Sequence, residues 1–396
     1  MSRVWILGAG ATIGHAAGAF PGIADFFSVA KTLRITAEHK DSNTSKPQYA
    51  LVGEFLRQHF GESFLSQRSK IDVEQVLTYL DIYLERNKDP QILDVEAKIK
   101  SLIRDVLISA GSKLSSTKGE YALFKSMVNG SDSIVTFNWD VVLDGFFCDQ
   151  FEQMYQMRNA GRNPPTQYRN FIDRFARREP GPFGSEPLQS DFKYAKEIEF
   201  PYKDNSKPMP LYLKAHGSID WYTCTNEKCG SASELFVVRN PSDAYFCSRC
   251  DEKMRNVLIP PVLNKRLTDD TITRRVWSYA SRILEKCDDL VVWGYSLPPT
   301  DLHSHWLLRQ ARTRGVKKLT IINPAIVSGG KRVLLQTSFI KKFSDMYLDS
   351  IEELHLFESM TDYHNNLDVY TKHPELFRRK AGRWLPGNRD TNKGDE

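Results

Sequence analysis

The chain has 396 residues, a formal net charge of +5, 41% hydrophobic and 26% charged residues. That length accommodates two or three domains around a sizeable core, and the balance is that of an ordinary water-soluble globular protein. So small a positive excess does not argue for a nucleic-acid surface. The basic clusters at Arg174–Arg178, Lys317–Lys318, Lys341–Lys342 and Arg378–Arg383 read as solvated faces, with nucleic-acid contact at most indirect. No apolar run approaches the ~18 residues of a membrane helix, so no membrane partner is expected. Arg3, Val4–Leu7 and the small residues around Ala16–Ala19 superficially mimic a secretion signal. Cleavage there would remove the glycine-rich turn that follows Leu7, so the expected location is cytoplasmic.

Residues 3–8 read as a buried strand, 9–14 as its turn and 15–30 as helix, followed by a polar loop at Glu38–Gln48. Asp72 and Gln75 have the spacing of a capping box ahead of Val73, Val76, Leu77, Leu80 and Leu84 at helical intervals, and Ile92–Ile108 continues the pattern. The next strand, Ile134–Phe137, begins about 100 residues after the first, too far for an ordinary crossover, so a helical insertion over 31–129 is expected. A helix is expected after Asp140, then a long Pro-, Gly- and charge-rich excursion over 158–206, and a third core strand at Leu211–Ala215. Val257–Ile259, Leu290–Trp293, Leu319–Ile322 and a final stretch within Asp349–Phe357 read as further strands, with helices over 271–287 and 301–314. Strands alternating with helices predict an α/β fold with a Rossmann-like parallel sheet. Its domain would be 1–30 plus 130–222 and 256–357. A four-cysteine zinc module would occupy 223–255 and a C-terminal extension 358–396, with a polar, disordered tail after about Gly387.

Five strand ends carry polar or glycine-rich chemistry. Gly8-Ala9-Gly10-Ala11-Thr12-Ile13-Gly14 would let backbone N–H groups approach a pyrophosphate at a strand-to-helix turn, although a close-packed turn without ligand has the same composition. Asn138 and Asp140 in Thr136–Asp140 can both face the crevice at a strand end, or can simply cap the next helix. His216, before Gly217 and Ser218, has the chemistry of a proton acceptor. Alone such a histidine is more often structural, but Gly217 beside it is expected to let substrate approach, and the neighbouring motifs favour the functional role. Trp293-Gly294-Tyr295-Ser296-Leu297, with Asp301 and His303 beyond it, could form a second wall. Asn323, in Ile321-Ile322-Asn323-Pro324, could bind a ribose or adenine.

Cys224-x4-Cys229 and Cys247-x2-Cys250 are two close pairs separated by 17 residues. That is the spacing of a structural Zn²⁺ site, a closed four-thiolate shell in a reducing compartment. Cys148 and Cys287 lie in apolar helical contexts and read as buried bystanders.

The set GAGAT, TFNWD, KAHGS, paired cysteines, GYSL and INP resembles the sirtuins, in their order, over about residues 3–30 and 130–325. The resemblance implies NAD⁺ as substrate and Zn²⁺ as structural cofactor. It places Gly8, Ala9, Gly10 and Thr12 at the phosphates and nicotinamide ribose, and Gly294, Ser296 and Asn323 on the adenosine side. Asn138 would bind ribose and water, Asp140 the carboxamide, and His216 would be the general base. Departures are specific: Gly22–Phe27 reads GIADFF where deacetylases carry GIPDFR, Thr136-Phe137-Asn138 stands for Thr-Gln-Asn, and Leu258-Ile259-Pro260-Pro261 replaces the peptide-pairing Phe-Gly-Glu segment. With them the chain looks like the bacterial sirtuin-like NAD-consuming proteins of antiphage defence. That implies a triggered NAD⁺ glycohydrolase, a homo-oligomer, and a partner such as a HerA-type ATPase, preferred here over an Argonaute. An NAD-dependent protein deacetylase and a non-catalytic NAD- or ADP-ribose-binding regulatory subunit are the alternatives.

Overall fold

In the computed structural model, the described residues are 3–35, 48–61, 72–86, 89–114, 118–147, 210–229, 235–237, 246–247, 250–260, 271–313, 315–328, 331–332, 338–347, 350–365, 379–380 and 383–384. The expected excursion over 158–206, Cys148 and the tail after Gly387 lie outside them.

Six strands, β1 (Arg3–Leu7), β2 (Ser133–Thr136), β3 (Leu211–Lys214), β7 (Asp289–Trp293), β8 (Lys318–Ile322) and β9 (Glu353–Phe357), form one sheet in the order β9-β8-β7-β1-β2-β3. Every neighbouring pair in it is parallel. Read from β3, this is the doubly wound order whose direction of growth reverses between β1 and its β7 neighbour. The strands are mostly apolar between their ends, as expected where both faces are covered. Val4 and Ile6 face a core with Val135, Leu213, Val292 and Trp277, while Trp5 and Leu7 face Tyr121, Phe124, Ile134 and Trp293. One residue of register shift would exchange those two sets.

Helices α1 (Ala9–His15), α2 (Phe26–Thr32), α3 (Ala50–Phe60), α4 (Val73–Arg86) and α5 (Pro90–Gly111) follow β1. Residues expected as a turn, 9–14, are therefore already helical. Gly8 holds the extended φ −125°, ψ −178° of an N-cap, so the helix starts as soon as the strand stops. Asp72 caps α4 by accepting from Glu74 N at 2.7 Å. Asp89 caps α5 by accepting from Gln91 N at 2.8 Å ahead of Pro90, which suits a first helical position. Helices α2 to α5 build their own apolar cluster, including Phe27, Val52, Leu56, Leu77, Ile99 and Ile103, and it reaches Ile219 and Leu258 beside the sheet. Helix α6 (Glu120–Met127) contributes Tyr121 and Phe124 to the sheet's own core instead.

A second sheet pairs β4 (Gly217–Cys224) antiparallel with β5 (Phe236–Val237) and β6 (Met254–Leu258). The β4–β6 register shifts between Gly217 and Tyr222. There Asn256 Nδ2 donates to the carbonyls of Ser218, Ile219 and Trp221, at 3.3, 3.0 and 3.0 Å. Helices α7 (Thr271–Leu284), α8 (Leu302–Arg309) and α9 (Ser338–Tyr347) follow in chain order and cover one sheet face, through Val276, Trp277, Leu307 and Phe343. Among the described residues no helix is long and apolar enough to cross a membrane.

Candidate active site

Because Leu7 pairs with Thr136 and Trp293, Thr136 with Lys214, and Trp293 with Ile322, the strands end at one level. Apart from the cysteine pairs, the expected motifs follow those ends, where open α/β sheets take ligands.

The loops after β2 and β3 are stitched together. Ala215 N donates to Thr136 O at 2.8 Å and Ile219 N to Trp139 O at 3.0 Å, while Ser218 Oγ donates to Trp139 O at 3.3 Å. The rings of Phe137 and His216 meet edge to face with centroids 4.9 Å apart. Asn138 and His216, each two residues beyond the paired Thr136 and Lys214, therefore share one shelf, although they are far apart in sequence.

Thr12 organises the shelf from the other side. Its Oγ1 is 2.6 Å from Tyr121 Oη, donates to Asp140 Oδ2 at 3.0 Å, and accepts from Asn138 Nδ2 at 3.2 Å. A carboxylate only accepts, so Thr12 gives its single proton to Asp140 and Tyr121 donates to Thr12. Burial, then the Asp140 charge, pushes the Tyr121 phenol well above 10, consistent with that donor role. Asp140 Oδ1 accepts from Val142 N at 3.0 Å, so this residue does cap the helical turn that begins there. Burial raises its carboxyl and nearby Lys214 opposes the shift. Asn138 Oδ1 is buried and has no hydrogen-bond partner among the described residues. An orphaned buried acceptor carries a cost of roughly 1–3 kcal/mol, so something that donates is the expected occupant beside it.

Behind the shelf lies a buried charge cluster. Lys214 Nζ donates to Asp140 O at 2.6 Å and to Asp144 Oδ2 at 3.0 Å, and Tyr212 Oη donates to the same Oδ2 at 3.0 Å. Asp220, whose Oδ1 is also buried without a partner among the described residues, has its carboxyl pushed up to about 6 by burial, with Lys214 opposing and Asp144 reinforcing the shift.

His216 is 3% exposed and its Nε2 lies 3.2 Å from Asp301 Oδ2. The same oxygen accepts from Tyr295 Oη at 3.0 Å. Tyr295 also stacks on Phe137 at 4.3 Å. Asp301 stood out in the sequence only as a polar residue beyond the glycine turn. Nothing local tied it to His216.

The glycines prove to be demanded by packing. A Cβ on Gly8 would stand 2.6 Å from Tyr295 Cα, one on Gly10 2.7 Å from Gly294 O, and one on Gly294 2.1 Å from Ala11 N. Gly10 N and Ala11 N donate to Gly294 O and Gly8 O, both at 2.9 Å, so these N–H groups already have partners inside the chain. Gly217, expected to admit substrate, has φ +70° and lies where a Cβ would be 2.0 Å from Val257 O; strand β6 needs that room. Asn323 Oδ1 accepts from Ala325 N at 2.9 Å in a local turn. Ser296 is exposed at the same end of the sheet, and Ala9 is half-buried in the first turn of α1.

The four cysteines meet at the far end of β4. Their Sγ atoms lie within 4.8 Å of one another, with Cys224–Cys250 at 3.5 Å and Cys229–Cys247 at 3.8 Å. A tetrahedron with ~2.3 Å Zn–S bonds has edges of about 3.8 Å, so the thiols present could hold zinc. Their backbones are pre-folded by Cys229 N donating to Asn226 O at 2.9 Å and Cys247 N to Glu252 O at 2.8 Å.

No family model matches the chain and no curated protein matches it. Among solved structures it is similar to a Sir2 homologue in complex with NAD, at 13% identity over 94% of this chain and 89% of that one, with a TM-score of 0.34. It is also similar to a Sir2 homologue mutant in complex with ADP-ribose, at 11% identity over 96% and 95%, with a TM-score of 0.39. All of these superpose loosely.

Proposed function

We propose that the protein is an NAD⁺ glycohydrolase that releases nicotinamide and ADP-ribose, acting in the cytoplasm as a triggered effector of antiphage defence. The observation that carries the reading is the shelf itself. Asn138 has an acceptor with no partner, in the loop whose Phe137 ring touches His216. In NAD⁺ the nicotinamide is already a cationic leaving group. The glycosidic bond breaks with its electron pair going to the ring nitrogen, so no acid need protonate it, unlike an ordinary glycoside. Water adds to the ribose carbon and loses one proton. Asn138 Oδ1 would accept a hydrogen from that water or a ribose hydroxyl, and His216 would take the proton. The negative charge of Asp140, Asp144 and Asp220, opposed by Lys214, favours a positively charged transition state nearby.

The loop after β6 favours hydrolysis over peptide deacetylation. Ile259 N donates to His216 O at 2.9 Å and Ile259 O accepts from Trp139 Nε1 at 3.0 Å. Pro260 and Pro261 bring no N–H at all. A backbone so engaged has little left to pair with an acetylated peptide. Zn²⁺ at the four cysteines would hold the small sheet and take no part in the reaction. A trigger is expected because unrestrained NAD⁺ cleavage is toxic. Homo-oligomerisation and a HerA-type ATPase are the proposed means.

The test is to incubate the purified chain with NAD⁺, alone and with such an ATPase and DNA, and to separate the products. Nicotinamide with ADP-ribose, absent in His216→Ala and Asn138→Ala variants that still fold, is the expected result. Retained turnover in both variants would sink the mechanism. Acetyl-ADP-ribose formed only with acetylated peptide would move the protein to the deacetylases. Saturable binding without cleavage under every condition would make it a regulatory subunit.

A further inference from the structure

Asp301 is completely buried, and three polar groups converge on it. Tyr295 Oη donates to Oδ2 at 3.0 Å, Ser304 N donates to Oδ1 at 3.1 Å and starts α8, and His216 Nε2 lies 3.2 Å from Oδ2. We propose that Asp301 is a positioning residue for His216, fixing its tautomer and ring orientation; this rests on the reading of His216 as the base of the hydrolase.

The hydrogen count supports it. A carboxylate can only accept and two acceptors would repel at 3.2 Å, so pairing with Asp301 calls for N–H at Nε2 of His216 and assigns proton exchange to Nδ1. Burial, followed by the Asp301 charge, holds the Tyr295 phenol well above 10, so Tyr295 remains a donor and cannot take the place of the carboxylate. The ring is walled by Phe137 edge to face, with centroids 4.9 Å apart, and by Trp277 in a stacked arrangement at 6.4 Å. Trp277 is itself fixed by Nε1 donating to Ala215 O at 2.7 Å. Asp301 gains rigidity from its neighbour as well. Thr300 Oγ1 donates to Glu74 Oε1 at 2.6 Å, tying the loop to the first turn of α4 in the helical unit. The competing account is that Asp301 only caps α8.

Two substitutions separate the accounts. In Asp301→Asn the shape is kept, but the amide can face Ser304 N with its oxygen only by turning its NH₂ toward His216. Asp301→Ser keeps a good cap and is too short to hold the imidazole. The full chain, labelled with ¹⁵N-histidine and assigned with His216→Ala, is examined by NMR at neutral pH beside NAD⁺ turnover. Expected are hydrogen on Nε2 of His216 in the wild type and loss of that tautomer in both variants. With it kcat should fall roughly 10²- to 10⁴-fold, the span of a mis-set general base, while KM for NAD⁺ stays within about two-fold. A wild-type His216 protonated on Nδ1 alone overturns the proposal without any variant. So does an unchanged tautomer, or unchanged kcat, in both substitutions. A wild type that shows the Nε2 tautomer but never cleaves NAD⁺ overturns the hydrolase reading and leaves the Asp301–His216 pairing supported.

Discussion

The Thr12 hydroxyl donates to Asp140 Oδ2 across 3.0 Å, joining residues 128 positions apart. That bond ties α1 to the loop after β2, and Asn138 and Tyr121 converge on the same Thr12 oxygen.

Thr12→Val keeps the shape and removes the shared hydroxyl, leaving buried polar atoms of Asp140, Asn138 and Tyr121 with one partner fewer. We expect a loss of about 2–4 kcal/mol in denaturant unfolding, and Thr12→Ser to recover most of it. A neutral Thr12→Val would show that the hub contributes nothing to stability.

Gly294→Ala places a methyl 2.1 Å from Ala11 N at φ +64°. Neither atom belongs to a flexible side chain, so the start of α1 and the loop after β7 must separate. The expected cost exceeds ~3 kcal/mol, read as a lowered melting temperature. An unperturbed variant would mean that these two segments do not close on each other in solution.

Metal analysis of the purified chain should find about one zinc per protein. Cys224→Ser or Cys250→Ser should lose the metal and expose β4, which begins immediately after His216. Elemental analysis with limited proteolysis reads both effects, and wild-type protein purified without zinc would end the proposal for these cysteines.

Asp220 gives a pH test. Its folded carboxyl sits at about 6 against an ordinary value of 3.8, so the folded state binds the extra proton between those limits. Its contribution to stability is therefore favourable near pH 4 and lost as pH rises through about 6. Relative to wild type, Asp220→Asn should gain on the order of 2 kcal/mol at pH 7 and little near pH 4. An equal gain at both pH values would show that charge burial is not the cause.

Much of this was legible before any coordinates. Apolar runs such as Val4–Leu7 and Leu290–Trp293 announced doubly covered strands, and the segments expected as strands all occur, with ends shifted by a few residues. Asn138 and His216 stand out in the sequence because a polar residue directly after such a run is a local signal. Tyr121 and Lys214 were not singled out, since a tyrosine in an apolar helix and a lysine ending a strand look ordinary. Their roles come from partners on other elements.

Local order along the chain determined which segments become parallel strands, which residues stand at their ends, and that two cysteine pairs could close on one ion. Periodicity and spacing are properties of neighbouring residues, and the sequence displays them directly. Only the tertiary structure decided what those ends touch. The β3-β2-β1-β7 order and its register set His216 beside Phe137, Asp301 against His216, and Gly294 against Gly10. Side-chain contacts between strand ends depend on which strands become neighbours, and pairing between distant segments leaves no local mark on either one.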